Sequence, residues 1–224
     1  SGPVASYGSV GAIYQTTIPD FSRITSLGGT ASTGPESFVV HTKSGMIVEY
    51  GNPADSRIVL AGSTVNGWLL NKVSDRDGNS YIVTYSTDNA VGRVPVSVQW
   101  SPTTPGGTTY QYKATLNYSI KTDPRDIVSF VQQSVSLPTK QRLNSVEMGY
   151  SASGSSYSTK RQYLLDYEVS PTTFQSRLKE IKECATTTSE CFKPTTIVYQ
   201  NGNAGIVTTG LTGVASASAS AIAS

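Results

Sequence analysis

The stretch Phe38-Val39-Val40-His41-Thr42-Lys43-Ser44-Gly45-Met46-Ile47-Val48-Glu49-Tyr50 sets two apolar, β-branched runs on either side of a short connection that contains glycine. Val, Ile, Phe and Tyr suit a pleated, half-buried surface. Lys43-Ser44-Gly45 has the length and chemistry of a hairpin loop. The stretch predicts an antiparallel β-hairpin that ends at Gly51-Asn52-Pro53.

Working outward, the same grammar recurs. Upstream, Ala12-Ile13-Tyr14-Gln15-Thr16-Thr17-Ile18 reads as a strand, Pro19-Asp20 as a turn, and Phe21-Ser22-Arg23-Ile24-Thr25-Ser26-Leu27 as an alternating strand. Downstream, Arg57-Ile58-Val59-Leu60 is a short strand. The run from Val65 to Val73 pairs with Ser80-Tyr81-Ile82-Val83-Thr84-Tyr85 across the polar turn Ser74-Asp75-Arg76-Asp77-Gly78-Asn79. Pro95 to Trp100 and Tyr110 to Ile120 continue the alternation. Further on, Arg142-Leu143-Asn144-Ser145-Val146-Glu147 and Arg177-Leu178-Lys179-Glu180-Ile181-Lys182 share an Arg-Leu-x-x-Val/Ile pattern 35 residues apart. Each precedes a tyrosine-containing partner: Arg161 to Glu168 for the first and Thr195 to Gln200 for the second. A lone hairpin cannot bury its apolar face, so this series predicts an all-β fold of serial antiparallel hairpins joined in one curved, shell-like sheet.

Composition agrees and narrows the function. Of 224 residues, 37% are hydrophobic, 14% are charged and 13 are tyrosine, a balance that favours strands and turns over helices. A net charge of +2 is too small to hold a polyanion, which excludes nucleic acid as a partner. No run approaches the roughly 18 apolar residues of a spanning helix, so membrane insertion is not expected. The first residues, Ser1-Gly2-Pro3-Val4-Ala5-Ser6-Tyr7, lack the basic and apolar regions of a signal peptide, which places any export signal outside the fragment. One histidine and two cysteines cannot supply a soft-metal ligand set, so no metal or cofactor is expected.

Individual candidate residues each have a plainer role. Asp75-Arg76-Asp77-Gly78-Asn79 starts like a calcium loop, but Gly falls fourth rather than sixth and Ser86 stands where the bidentate Glu belongs; a hairpin turn accounts for it. Cys184 and Cys191 bracket six residues, so two hairpin strands could bring the sulfurs together. An oxidising compartment favours that disulfide, and a reducing cytosol favours two thiols. His41, the only imidazole, has no nucleophile or acid patterned around it and reads as structural. Glu49, Asp75, Glu147, Asp166 and Glu168 could in principle furnish a glycosidase pair. Trp68 and Trp100 could stack on a sugar or simply pack in the sheet.

Several phrases together resemble the SpvB-type amino-terminal domain of Tc-toxin B components and of Rhs (YD-repeat) toxins. They run from Ile18-Pro19-Asp20-Phe21-Ser22-Arg23-Ile24 and Gly34 to Gly45, through Glu49-Tyr50-Gly51 and Asn71 to Asn79. The series ends with Leu164 to Ser170, Ser176-Arg177-Leu178, and the Cys184–Cys191 loop followed by Lys193-Pro194-Thr195-Thr196. The resemblance implies a secreted, non-catalytic virulence domain that helps wall a shell around a toxic carboxy-terminal polypeptide. Its partners would be other domains or chains of the toxin assembly and the enclosed cargo. No catalytic residue is carried over. On this reading residues 1–200 form the β domain, without the family's first stretch, and residues 201–224, rich in Gly, Ala and Ser, form a linker or peripheral strand. A glycan- or receptor-binding β module is the alternative, and a carbohydrate-active enzyme the third reading.

Overall fold

The computed structural model describes residues 8–18, 20–30, 32–59, 64–88, 92–132 and 135–202. The amino-terminal residues 1–7 and most of the expected linker, from 203 onward, lie outside the described residues.

The chain forms strands β1 (Ile13–Tyr14), β2 (Arg23–Leu27), β3 (Ser37–His41), β4 (Ile47–Tyr50), β5 (Arg57–Val59), β6 (Val65–Trp68), β7 (Leu70–Ser74) and β8 (Ser80–Tyr85). It continues with β9 (Pro95–Pro102), β10 (Tyr110–Ile120), β11 (Val128–Gln132), β12 (Val135–Thr139), β13 (Gln141–Tyr150), β14 (Ser158–Val169), β15 (Ser176–Cys184) and β16 (Thr195–Thr196). Twelve of them make one open antiparallel sheet in the order β1-β2-β3-β4-β7-β8-β9-β10-β13-β14-β15-β16. Each strand of this sheet lies beside its predecessor, so the fold is a meander interrupted by two inserted hairpins, β5–β6 and β11–β12. The expected all-β series of hairpins is the observed architecture. Because each strand rotates against its neighbour by roughly 20–25°, a sheet this wide must twist along its length.

The hairpin from Phe38 to Tyr50 pairs Val40 with Val48 and His41 with Ile47, and its turn is closed by Thr42, whose hydroxyl accepts from the Met46 amide at 3.0 Å. Elsewhere local chemistry trims the expected strands. Only Ile13 and Tyr14 of the run from Ala12 to Ile18 join the ladder, because Thr16 Oγ1 donates to the Ile18 carbonyl and to Asp20 Oδ1. Phe21 is not in a strand; its φ is +63°. The run from Val65 to Val73 is two strands rather than one. Leu69 breaks it by pairing with Ser56 and Gly51, and the halves enter different sheets. The final partner strand shortens to Thr195–Thr196, although the Ile197 amide still reaches the Lys179 carbonyl at 2.8 Å. Between Ile120 and Arg142 the sequence pattern predicts no strand, yet the β11–β12 hairpin forms there; Pro138 disguises it, since proline within a run argues against a strand.

The ladder slips by one residue at four tyrosines. Tyr50 faces Leu70, Tyr85 faces Pro95, Tyr118 faces Leu143 and Tyr167 faces Leu178, and the neighbouring strand carries one extra residue just past each of these partners: Asn71, Val96, Asn144 and Lys179. Such bulges bend a strand and sharpen its twist. The carbonyl beside each bulge is then taken by the hydroxyl of a tyrosine further along the chain. Tyr85 donates to Leu70, Tyr118 to Pro95, Tyr167 to Leu143 and Tyr199 to Leu178, all at 2.7–2.8 Å. The Arg-Leu and tyrosine pattern seen twice in the sequence is thus a unit built four times in the structure.

Candidate functional site

Side chains of ladder partners project from the same face of a sheet. Followed across the meander, one register line joins Tyr14, Ile24, Val40, Val48, Val73, Tyr81, Trp100, Tyr112, Tyr150 and Ser158, one residue from each of ten strands. Nine of these ten are apolar or aromatic. Two residues along, Val83, Val98, Ala114 and Met148 continue the same face. Trp100 stacks on Tyr112 with centroids 5.7 Å apart, and Tyr112 meets Tyr150 at 5.2 Å.

The opposite face is polar. Its parallel line runs through Thr25, Val39, Glu49, Lys72, Ile82, Gln99 and Lys113. Small groups there satisfy one another: Thr84 with Ser97 at 2.7 Å, and Asn117 with both Ser145 and Glu147.

An apolar face of this width would normally be buried by a second layer. Here the buried apolar side chains are few: Ala12, Val65, Val73, Tyr110 and Cys184 among the described residues. Tyr81 and Tyr112 remain 36% and 40% exposed. The β3 end is partly covered. There Trp68 of β6 sets its ring edge-on against Phe38 at 4.9 Å, and its indole donates to the Pro35 carbonyl at 3.1 Å.

The other sequence candidates scatter. Trp68 is a packing residue and Trp100 belongs to the aromatic row, so the two do not form a joint platform. His41 lies exposed at the end of β3 opposite Arg23 and Ile47. Asp75 accepts from the amides of Asp77 and Asn79 and from the Asn79 side chain; that last bond foremost holds its carboxyl below the usual range. Its oxygens are therefore committed to the hairpin turn. No cluster of His, Cys, Asp and Glu suited to a metal occurs among the described residues. Glu49 and Glu147 sit on strands separated by four others, roughly 24 Å apart at the usual strand spacing, too far for a glycosidase pair. Asp166 and Glu168 are paired with Lys179 and Arg177. The register does place Asp166 opposite Glu180, a neighbour the sequence alone could not assign, with Lys182 beside Glu180. Cys184 and Cys191 form an isolated antiparallel bridge with their sulfurs 2.03 Å apart, and Cys184 is buried.

Among the described residues the buried acid lies elsewhere. Asp126 accepts from both the amide and the hydroxyl of Ser176 and pairs with Lys121 at 3.6 Å. Burial alone would raise its pKa, but Ser176 and the cations Lys121 and Arg142 outweigh that and hold it below the ordinary carboxylate value. The arrangement ties the 3-10 turn Pro124–Asp126 to the start of β15 and leaves no oxygen for chemistry.

Fold and surface together define an open, bulged antiparallel meander with one unsheathed apolar face and no assembled catalytic constellation among the described residues. Residues 11–157 match the family described as Salmonella virulence plasmid 65kDa B protein, SpvB, and the chain belongs to that family. Its fold resembles the N-terminal domain of effector protein SpvB from Salmonella typhimurium strain LT2, with a TM-score of 0.62 at 18% identity over 77% of this chain and 68% of that one. It also resembles the crystal structures of TcdB2-TccC3-Cdc42 and TcdB2-TccC3-TEV, each with a TM-score of 0.64 over 81% of this chain, at 13% and 14% identity. The chain spans about a tenth, 11%, of those TcdB2-TccC3 chains. No curated protein sequence matches it.

Proposed function

We propose that this chain is a non-catalytic wall element of a secreted toxin, contributing one panel to a shell that encloses or delivers a toxic polypeptide. The observation that carries this reading is the ten-strand register line of apolar and aromatic residues, in which Tyr81 and Tyr112 stay exposed and call for a covering partner. Membership of the SpvB family and the fold shared with a small part of TcdB2-TccC3 chains support a panel within a larger toxin assembly. Residues 1–200 make the panel and 201–224 lead away from it as a linker or peripheral strand. The Cys184–Cys191 disulfide suits an extracellular destination.

A glycan-binding module would draw on the same aromatic row, because Tyr81 and Tyr112 leave ring surface accessible. The two readings part experimentally. Read onward from Ser224, the gene is expected to encode a propeller, repeat region and variable toxic end. In that full-length product Trp100→Glu or Tyr112→Glu exposes the carboxy-terminal segment to protease, whereas Lys113→Glu, on the polar face, leaves it protected. Saturable glycan binding lost in Trp100→Ala, or glycan hydrolysis lost with a single carboxylate substitution, overturns the proposal.

A further inference from the structure

The corner where β1 and β2 meet the β3–β4 turn carries a feature that the wall role does not use. Ile18 and Phe21, in the loop before β2, are 83% and 77% exposed. Phe21 holds a left-handed φ of +63°, a backbone state that disfavours any residue with a Cβ. The Lys43 ammonium stands 4.8 Å over the Phe21 ring, and Arg23 lies two residues along the chain. Beside them a cleft of about 540 Å³ is lined by Ile13, Gln15, Thr16, Phe21, Ser22 and Arg23, with Asp20 at its wall. Asp20 Oδ1 accepts from the Ser22 amide at 2.9 Å and from Thr16 Oγ1 at 3.1 Å. Neither Arg23 nor Lys43 has a carboxylate within ion-pair distance among the described residues.

An exposed aromatic held in a costly conformation, flanked by two unneutralised cations at the edge of a sheet, has the composition of a peptide-docking corner. We infer that this cleft binds an extended acidic peptide segment of a partner protein, whose carboxylates meet Arg23 and Lys43 and whose apolar side chain packs against Phe21 and Ile13. Charge complementarity selects the acidic segment, and the cleft at the sheet edge selects an extended one. The inference stands independently of the wall role, since it concerns the sheet's edge rather than its apolar face.

The test is fluorescence anisotropy on the intact chain with a fluorescein-labelled peptide alternating glutamate with valine and phenylalanine, and a matched peptide with lysine for glutamate. Saturable, salt-weakened binding of the acidic peptide is expected, with the lysine peptide weaker by roughly tenfold or more. Arg23→Ala and Lys43→Glu weaken it by about the same factor, and Phe192→Ala, exposed at the far end of the sheet, leaves it unchanged. Phe21→Gly separates docking from folding: glycine accepts the left-handed backbone, so the thermal midpoint holds or rises while peptide binding is lost. Equal affinity for both peptides, or acidic-peptide affinity unmoved by all three corner variants, overturns the inference. So does capture of phosphatidylserine vesicles through Arg23 and Lys43 by a chain that ignores the acidic peptide.

Discussion

The hydroxyl of Tyr167 donates to the backbone carbonyl of Leu143 at 2.7 Å, and Leu143 is the residue that Tyr118 faces where the β10–β13 ladder slips. A bulge interrupts regular backbone pairing, and a buried carbonyl without a donor is costly. The tyrosine from the next strand supplies that donor, so each bulge is tolerated because the following unit closes it. Tyr167→Phe is expected to lower unfolding free energy by about 1 kcal/mol, and Tyr85→Phe by a similar amount. The two sites are far apart in strand order, so the double variant should lose the sum. Urea denaturation measures both. A double variant no weaker than either single one would show that the hydroxyls do not hold the bulges.

The same tyrosines set the alkaline limit. Burial raises the pKa of Tyr85, Tyr118 and Tyr167 above the ordinary 10.0. Their neutral forms are favoured in the folded state, so their contribution is complete below pH about 10 and lost as pH rises through the raised folded values. Absorbance titration at alkaline pH should show a late-titrating group of tyrosines whose ionisation coincides with unfolding. Tyr167→Phe should remove part of that late group.

At the acid end the sign reverses. The Asp126 carboxyl is held below its ordinary 3.8, so its stabilisation is present above that value and lost as pH falls through the lower folded one. Stability should therefore be nearly flat from pH 7 to about 5 and fall below about 4. Asp126→Asn should flatten this acid slope. Asp126→Ala leaves the Ser176 donors unpaired and is expected to cost about 1–3 kcal/mol at neutral pH. Denaturant midpoints collected across the pH range decide both.

The fold class was legible because period-two alternation and glycine-bearing turns mark hairpins directly, as in Phe38 to Tyr50. The full repeat was not. Its unit shows an Arg-Leu signature only at Leu143 and Leu178; at Leu70 the arginine is missing, and at the fourth site Pro95 replaces leucine, since only the backbone carbonyl is needed. The inserted β11–β12 hairpin then breaks the spacing between Pro95 and Leu143. The surface was harder still. Trp68 and Trp100 look equivalent as sequence, yet one caps Phe38 and the other joins a row defined by residues on ten strands. That row depends on register, which bulges shift by single residues. Asp126 gave no signal because its partner Ser176 lies fifty residues away.

The Cys184–Cys191 bridge should act locally. It closes a short loop at the end of β15, for which chain entropy predicts about 2 kcal/mol. Reduction is expected to lower the unfolding free energy of the wild-type chain by that amount and to leave a Cys184→Ser/Cys191→Ser variant unmoved. Equal response of both proteins to reductant would place the effect elsewhere.

Gly51 offers the sharpest test of how the β5–β6 hairpin is seated. Its φ is +73°, and a Cβ there would stand 2.5 Å from Trp68 Cδ1 and 2.9 Å from the Glu36 carbonyl oxygen. Arg57 Nε also donates to the Gly51 carbonyl at 2.6 Å, so the backbone at this point is fixed from two sides. Alanine therefore meets both an unfavourable backbone region and a neighbour that cannot retreat, because Trp68 is held by Phe38 and the Pro35 carbonyl. Gly51→Ala is expected to cost about 2–3 kcal/mol. Trp68→Ala alone should cost about 3 kcal/mol through lost packing. If the indole is the obstacle, the double variant must be less destabilised than the sum, since the space vacated by Trp68 admits the new methyl group; strict additivity in thermal or urea unfolding would instead assign the cost of alanine to backbone conformation and the Glu36 carbonyl.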